Sequence, residues 1–195
     1  MKKPYLIPLL AAAFFCVSLP GSPAQAADKK QPTPAEARAQ LAKDVPQTIA
    51  TYKKADPGID RFFKQSVGYV VFPRVGKVGL IIGMGDGFGE VYENGKLVGT
   101  ASITFGTIGL QAGAQEFSQI VFFKDAAALE HFKQNNFEFA ANASAVIVKA
   151  GASGGADYQN GVAVFTRSTG GAMFEAALGT QKFKFTPEAA PAKKK

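Results

Sequence analysis

The sequence contains one cysteine, one histidine and no tryptophan. Cys16 lies in an apolar run near the N-terminus, so the rest of the chain has no disulfide and no cysteine ligand for a metal. His131 alone cannot assemble a zinc site without such ligands. These absences predict a domain that is held together by packing alone, with no metal and no cofactor.

The N-terminus has the layout of a secretory signal peptide. Lys2 and Lys3 precede an apolar run over residues 5–19, which is too short to span a membrane as a helix. A break rich in Pro, Gly and Ser follows, and then the small-residue sequence AQA at residues 24–26. We expect cleavage after Ala26 and an exported protein that is periplasmic or associated with the cell envelope.

The formal net charge of +7 belongs to the ends of the chain. Residues 27–55 carry six basic and three acidic residues, whereas residues 56–185 carry eleven of each. Two interpretations of the terminal lysines stay open. They belong either to solvated tails or to segments that adsorb on an anionic bilayer, where each lysine would contribute about 1 kcal/mol to binding. The neutral body and the absence of a nucleic-acid motif argue against a nucleic-acid partner. We divide the chain into a signal peptide (1–26), a basic N-terminal arm with short helices (27–55), a main domain (56–185) and a disordered basic tail (186–195).

Helical signals occur near the N-terminus and once in the middle of the chain. Pro34 begins a helix that Pro46 breaks or kinks at Val45, and a second short helix is expected to follow. Asp125 can cap one inserted helix, whose apolar face carries Leu129.

The other segments are short, rich in Val, Ile and Phe, and punctuated by glycine, which is typical of strands. Asn94-Gly95 is the strongest local signal, a two-residue hairpin turn in which both residues accept positive φ. The expected strands are residues 67–73, 78–84, 88–93, 97–105, 107–115, 117–123, 137–140, 144–149, 162–167, 172–178 and 182–185, the last as an edge strand. These elements predict a β-rich α+β fold, an antiparallel meander or partly closed barrel with short N-terminal helices and one inserted helix.

Residues 105–115, FGTIGLQAGAQ, alternate apolar side chains with glycine and glutamine. Glycine inside a strand often marks a place where something packs close to the backbone. We interpret this stretch as a central strand whose glycines let another layer approach. Buried Gln111 and Gln115 would then each need hydrogen-bond partners.

Two glycine-rich motifs superficially suggest an enzyme. GMGDGFG at residues 83–89 is followed by a strand and not by the helix that a nucleotide loop requires, which favours bends or tight packing. GASGG at residues 151–155 fits the nucleophile elbow of hydrolases, but His131 precedes Ser153, whereas that fold places the base after the nucleophile. We therefore expect a flexible loop at Ser153 and no enzyme activity.

Cationic side chains stand beside glycine-rich strand ends at four places: Arg74, Lys77, Lys149 and Arg167. Arginine presents a planar fork that suits phosphate, and lysine presents a point charge. Glycine-bearing turns nearby expose backbone N–H groups that could complete an anion site. Scattered surface charges are the alternative interpretation of the same residues.

Four pieces of the sequence, in order, resemble the SYLF domain, also called the Ysc84 domain. They are GYVVFPRVGKVG at residues 68–79, GTIGLQAGAQ at 106–115, FEFAANAS at 137–144 and VFTRSTGG at 164–171. The resemblance implies a β-rich lipid-binding module, which in eukaryotic members recognises phosphoinositides or other anionic lipids. In exported bacterial members it implies a single-domain envelope protein. The actin-binding activity of fungal members is not expected, because a secreted chain would not meet actin.

The residues and the resemblance together predict a non-enzymatic envelope module that binds anionic phospholipid head groups, phosphoinositide-like in chemistry, at a membrane surface. Arg74, Lys77, Lys149 and Arg167 would contact the phosphate. The alternative is a structural or protein-interaction module of the periplasm, with an envelope protein as its partner and no dependence on lipid.

Overall fold

A computed structural model describes residues 33–79, 82–108, 114–134, 138–140, 145–147, 151–168 and 180–188. The described helices are α1 (Pro34–Ala55), α2 (Asp60–Gln65) and α3 (Ala126–Lys133). Short 3-10 helices lie at Pro57–Ile59 and Ala152–Gly155. The described strands are β1 (Gly68–Gly79), β2 (Ile82–Glu93), β3 (Lys96–Ile108), β4 (Ala114–Phe123), β5 (Glu138–Ala140), β6 (Ala145–Ile147), β7 (Val162–Ser168) and β8 (Thr180–Pro187).

The strands form one sheet in the order β5-β8-β3-β2-β1-β4-β7-β6. Every described pair is antiparallel except β6 with β7, which is parallel. The β-rich α+β class predicted from the sequence is therefore confirmed. The sheet is not closed into a barrel, since β5 and β6 stand at the two ends of the order of described strands.

The sheet is curled so strongly that strands far apart in its order meet on one face, which we call the inner face. In a flat sheet β3 and β4 would stand about 14 Å apart, at about 4.8 Å per strand. Yet the ring centroids of Phe105 on β3 and Phe117 on β4 are 5.6 Å apart. α3 covers this face and inserts Phe132, whose ring lies 4.8 Å from that of Phe123. The inner face therefore holds the larger of the two hydrophobic cores among the described residues.

The outer face carries a second core under α1, α2 and the segment after the 3-10 helix at Ala152–Gly155. Val45 and Tyr52 of α1 are buried there. Phe62 of α2 packs edge to face against Phe165 of β7, with 4.7 Å between ring centroids. Arg38, near the start of α1, pairs with Glu188 at 3.1 Å, just beyond β8. The ion pair and Tyr52 show that α1 runs across the outer face from the end of β8 towards β4 and β7.

α1 is one continuous helix, so the predicted break at Pro46 is wrong. Proline removes one backbone donor, but Val45 and Tyr52 on either side of it are fully buried on the sheet. Such tertiary packing outweighs a local helix-breaking tendency. The helix starts with a capping box, in which Thr33 and Glu36 satisfy each other's backbone donors, a signal legible in the sequence TPAE.

Residues 105–115 are not one central strand, and that interpretation is wrong. Phe105 to Ile108 end β3, and Ala114 begins β4. β2 and β1 lie between those strands in the sheet, so one strand cannot contain both segments. Residues 109–113, with Gln111, lie outside the described residues. The prediction of a separate strand at residues 78–84 is also wrong, because residues 78 and 79 end β1 and residues 82–84 begin β2.

Most of the other local predictions are confirmed. Asn94 and Gly95, with φ of 48° and 74°, form the hairpin between β2 and β3. Asp125 caps α3, and β8 alternates buried and exposed residues. The prediction of β8 as an edge strand is wrong, because β5 pairs with its first three residues, Thr180 to Lys182. The expected strand at 172–178 lies outside the described part of the chain.

The glycines of residues 83–89 lie inside β2, and two of them permit close packing. A Cβ at Gly87 would stand 2.8 Å from the carbonyl oxygen of Arg74 and 2.9 Å from Cγ2 of Val75. A Cβ at Gly89 would collide with the carbonyl oxygen of Val71. At these two positions the interpretation of tight packing is confirmed.

Candidate functional site

A cleft of about 280 Å³ lies on the outer face, between α1 and the strands beneath it. We call it the Arg74–Arg167 cleft. α1 lines one wall, and β1, β4 and β7 line the other. The side chains that matter for its chemistry are Asp44, Thr48, Arg74, Glu116, Ser118 and Arg167.

A β-bulge aims Arg74 into the cleft. The pairing of β1 with both neighbours shifts register between Val71 and Val75, around Pro73, which has no N–H to donate to a strand. As a result Phe72 and Val75, three positions apart, both lie in the inner core. In a regular strand Arg74 would share the face of Phe72. The extra residue turns Arg74 outward instead.

Arg167 reaches the same cleft from β7, two strands away in the sheet. Its backbone pairs with Ser118 of β4, and Ser118 Oγ donates to the Arg167 carbonyl at 3.3 Å. Tyr52 of α1 donates its hydroxyl to the Ser118 carbonyl at 2.7 Å. Burial raises the pKa of Tyr52, although the Ser118 hydroxyl and the charge of Arg167 oppose that rise. Tyr52 therefore stays a neutral donor that fixes α1 to the cleft floor.

The charges of the cleft are balanced. Arg74 Nη2 donates to Asp44 Oδ2 at 2.7 Å, and the side chains are 57% and 21% exposed. Glu116 of β4 is the second carboxylate in the lining. An exposed pair such as Arg74–Asp44 contributes about 0–1 kcal/mol, so a stronger anion could displace the Asp44 carboxylate from Arg74.

The structure brings together two of the four predicted site residues. Arg74 and Arg167 line one cleft. Lys77 lies on β1, where its backbone pairs with Gly85 and Gln115, but its side chain is not among those described. Lys149 lies outside the described residues.

Sequence reasoning missed the contribution of α1 to the site. Asp44, Thr48 and Thr51 recur at helical spacing and form a polar stripe that faces the cleft. The predicted break at Pro46 would place these residues on two separate helices, so the stripe was not recognised from the sequence. The alternation of Glu116 and Ser118 with buried Phe117 on β4 was a second available signal.

The segment that holds Ser153 is anchored from two sides. Asp56 accepts hydrogen bonds from the backbone N–H of Ser153 at 2.6 Å and of Gly58 at 3.2 Å. Burial acts to raise the pKa of Asp56, but hydrogen bonds from Ser153, Gly58 and Gly151 hold it below the ordinary value. Arg61 donates to the carbonyl of Ser153 at 2.7 Å and to that of Ala156. Ser153 is buried in a hydrogen-bonded 3-10 segment, so the expectation of a flexible loop there is wrong, whereas His131 is exposed on α3.

In the described part of the chain, no group of three or more His, Cys, Asp or Glu side chains could hold a metal ion. No helix in the described ranges is both long enough and apolar enough to cross a membrane.

Comparison with protein families matches residues 104–188 to Ysc84, described as "Las17-binding protein actin regulator". The match contains three of the four resembling pieces and begins after the first, at residues 68–79. The sequence resemblance to the SYLF family is thereby confirmed. Arg167 falls inside the matched residues and Arg74 before them. Comparison with curated proteins found no match.

Proposed function

Because residues 104–188 match the Ysc84 (SYLF) family, we propose that the protein is a non-enzymatic module that binds anionic phospholipid head groups. The observation that carries this proposal is the convergence of Arg74 and Arg167 in one outer-face cleft. We place the protein in the cell envelope, on the strength of the signal-peptide pattern at residues 1–26.

The chemistry of the cleft suits a phosphate group. Each guanidinium offers paired N–H donors that match two oxygens of a phosphate, and such charged hydrogen bonds are about twice as strong as neutral ones. The bulge at Pro73 and the packing of Tyr52 hold the strands that carry the two arginines. The cleft therefore presents two arginines, one from β1 and one from β7, to an anion that enters it.

Asp44 competes with any incoming anion for Arg74. Its carboxylate occupies Arg74 in the absence of a ligand, so a phosphate must compete with it. A phosphate monoester can carry two charges and competes best, whereas the phosphodiester of phosphatidylglycerol meets the carboxylate with one charge against one. Binding should accordingly weaken with added salt, as exposed charge contacts do.

Vesicle co-sedimentation tests this function. The wild-type protein should sediment with phosphatidylcholine vesicles that contain phosphatidylglycerol and not with phosphatidylcholine alone. Arg74→Gln should weaken binding about fivefold, from about 1 kcal/mol per cation at the surface. Arg38→Gln is the matched control, because Arg38 is also an exposed, ion-paired arginine, 51% exposed, but lies outside the cleft lining.

A protein-interaction module is the second candidate, favoured by the balanced charges of the cleft. It predicts equal sedimentation with neutral and acidic vesicles, together with crosslinking to one envelope protein that Arg74→Gln abolishes. A hydrolytic rate that disappears with Ser153→Ala would instead contradict the non-enzymatic part of the proposal.

A further inference from the structure

A second cleft, of about 330 Å³, lies on the outer face beyond the end of β4. Its lining includes Arg61 of α2, Lys124 just after β4, and Asp157 and Tyr158 ahead of β7. Ser118, which lines the Arg74–Arg167 cleft, precedes Lys124 by about 20 Å of extended chain. The two cavities are therefore separate, and we call the second one the Arg61–Lys124 cleft.

Hydrogen bonds to the backbone hold the walls of this cleft together. Arg61 Nη2 donates to the carbonyl of Ser153 at 2.7 Å. Asn160 and Gly161, with φ of 51° and 78°, form a tight turn that leads into β7. The backbone N–H of Lys124 donates to the carbonyl of Gly161 at 2.8 Å. The three elements that line the cleft are therefore joined before any ligand binds.

Both cations of the cleft lie over aromatic rings. The guanidinium carbon of Arg61 is 4.7 Å from the ring centroid of Phe62, and Lys124 Nζ is 6.0 Å from that of Tyr158. The two rings contact each other, with 5.3 Å between their centroids. Such contacts position a cation without neutralising its charge. The cleft therefore presents two positive charges over adjoining rings.

The charged groups of the lining are not paired with one another. Among the described residues, no ion pair includes Arg61, Lys124 or Asp157, and all three are exposed. The Asp157 carboxylate accepts a hydrogen bond from the backbone N–H of Tyr158 at 2.7 Å. In the first cleft, by contrast, Arg74 is already paired with a carboxylate. Opposite charges that line one cleft without meeting complement a ligand that carries both signs.

The charges around the cleft do not alter this balance. Asp60 pairs with Lys53 at 2.7 Å, and Asp125 accepts the N–H of Ala128 at 2.9 Å as the cap of α3. Lys64 is exposed on α2. None of these side chains belongs to the lining. Two cations and one carboxylate therefore face the ligand, which argues against a simple anion.

The arrangement of the two cations favours a phosphate as the anionic group. An arginine fork matches the two coplanar oxygens of a carboxylate, which leaves little for a second cation on another element. A tetrahedral phosphate offers further oxygens, so Arg61 and Lys124 can bind it from different directions. The Asp157 carboxylate suits an ammonium group.

We propose that the Arg61–Lys124 cleft binds a small zwitterion in which a short carbon chain joins a phosphate to a primary ammonium, the chemistry of phosphoethanolamine. The phosphate lies between Arg61 and Lys124, and the ammonium meets Asp157. This inference does not depend on the Arg74–Arg167 cleft, since it uses other residues. Phosphoethanolamine chemistry occurs in soluble molecules and in lipid head groups, so both sources are tested.

An NMR titration with soluble phosphoethanolamine tests the site. The backbone amide signals of Lys124, Asp157 and Tyr158 should move together and saturate. Glycerol phosphate, which lacks the ammonium, should bind there about fivefold more weakly. Equal affinities for the two ligands would overturn recognition of a zwitterion. Movement of the Ser118 signal alone would assign phosphoethanolamine to the first cleft and would overturn the inference.

Two variants separate the roles of the charges. Asp157→Asn should weaken phosphoethanolamine binding about fivefold without weakening that of glycerol phosphate, because only the ammonium contact is lost. Lys124→Gln should weaken the binding of both ligands. Asp86→Asn is the control, since Asp86 is an exposed carboxylate outside both linings. Equal phosphoethanolamine affinity in Asp157→Asn and Asp86→Asn would contradict the ammonium contact.

Vesicles identify the source of the ligand. Phosphatidylcholine vesicles with and without phosphatidylethanolamine have the same net charge and differ in the primary ammonium. Sedimentation that requires phosphatidylethanolamine and is lost in Asp157→Asn would identify a lipid head group. Saturable NMR shifts without such sedimentation would identify a soluble ligand. Binding of neither probe would refute the inference, while sedimentation with phosphatidylglycerol vesicles would still test the first cleft independently.

Discussion

Arg74 Nη2 lies 2.7 Å from Asp44 Oδ2, so the arginine that β1 presents in the cleft is ion-paired with a carboxylate from α1. This ion pair joins α1 to the sheet. It uses the same Arg74 guanidinium that the proposed phosphate ligand must bind. Asp44 is therefore an internal counter-anion of Arg74, and under the proposed function a bound anion would have to displace it.

Asp44→Asn should strengthen binding to phosphatidylglycerol vesicles about fivefold, because the competing carboxylate is removed while the helix is kept. Co-sedimentation measures the change. Asp60→Asn is the control, since Asp60 is also ion-paired, to Lys53 at 2.7 Å, and its removal changes the net charge equally. The same gain in both variants would mean that overall charge, and not the cleft, governs binding.

Gly87→Ala should destabilise the protein by about 1–3 kcal/mol, because a Cβ there would press on the Arg74 carbonyl at 2.8 Å and disturb the bulge. Gly76→Ala, with nothing within 4 Å of its Cβ, should change stability by less than about 0.5 kcal/mol. Urea unfolding measures both variants. Similar stabilities for the two variants would show that close packing of β1 against Gly87 of β2 does not contribute to stability.

The buried amides of Gln119 and Gln181 donate to each other at 2.8 and 3.0 Å across the inner face. Gln119→Leu should cost about 1–3 kcal/mol, since the amide of Gln181 is left buried and unpaired. Replacing both with leucine should restore most of that loss. A double-mutant cycle in urea tests this coupling, and additive losses would contradict a reciprocal pair.

Asp56 links stability to pH. Because its pKa in the folded protein lies below the ordinary value of 3.8, its contribution is present in full above that value and is lost as the pH falls through the folded pKa. Asp56→Asn should therefore lower the free energy of unfolding by about 2 kcal/mol at neutral pH and by less at about pH 3. Asp86→Asn, at an exposed position, should show neither effect. An Asp56→Asn deficit that is constant with pH would assign the loss to packing instead.

Local patterns in the sequence were enough to place the Asn94-Gly95 hairpin, the cap of α3 at Asp125 and the alternation of β8. Each of these depends on neighbours within a few residues. Arg74 and Arg167 were both identified as candidate phosphate contacts for the same kind of local reason, a cation near a glycine-bearing strand end.

Features that depend on strand order were not predictable in this way. Residues 105–115 alternate like a strand, yet they belong to β3 and β4, which have two strands between them. Periodicity reports which face a residue takes and cannot report which strand lies beside it. The Gln119–Gln181 pair joins β4 to β8 only because the sheet is curled, so no local signal identified it.

The most direct test of the central claim uses the side-chain Nε–H signals of the four arginines, Arg38, Arg61, Arg74 and Arg167, in an NMR titration with a soluble short-chain phosphatidylglycerol. We predict that the signals of Arg74 and Arg167 move together and saturate at the same lipid concentration, while those of Arg38 and Arg61 stay in place. Equal small shifts of all four signals, or movement of Arg38 and Arg61 alone, would contradict binding in the Arg74–Arg167 cleft.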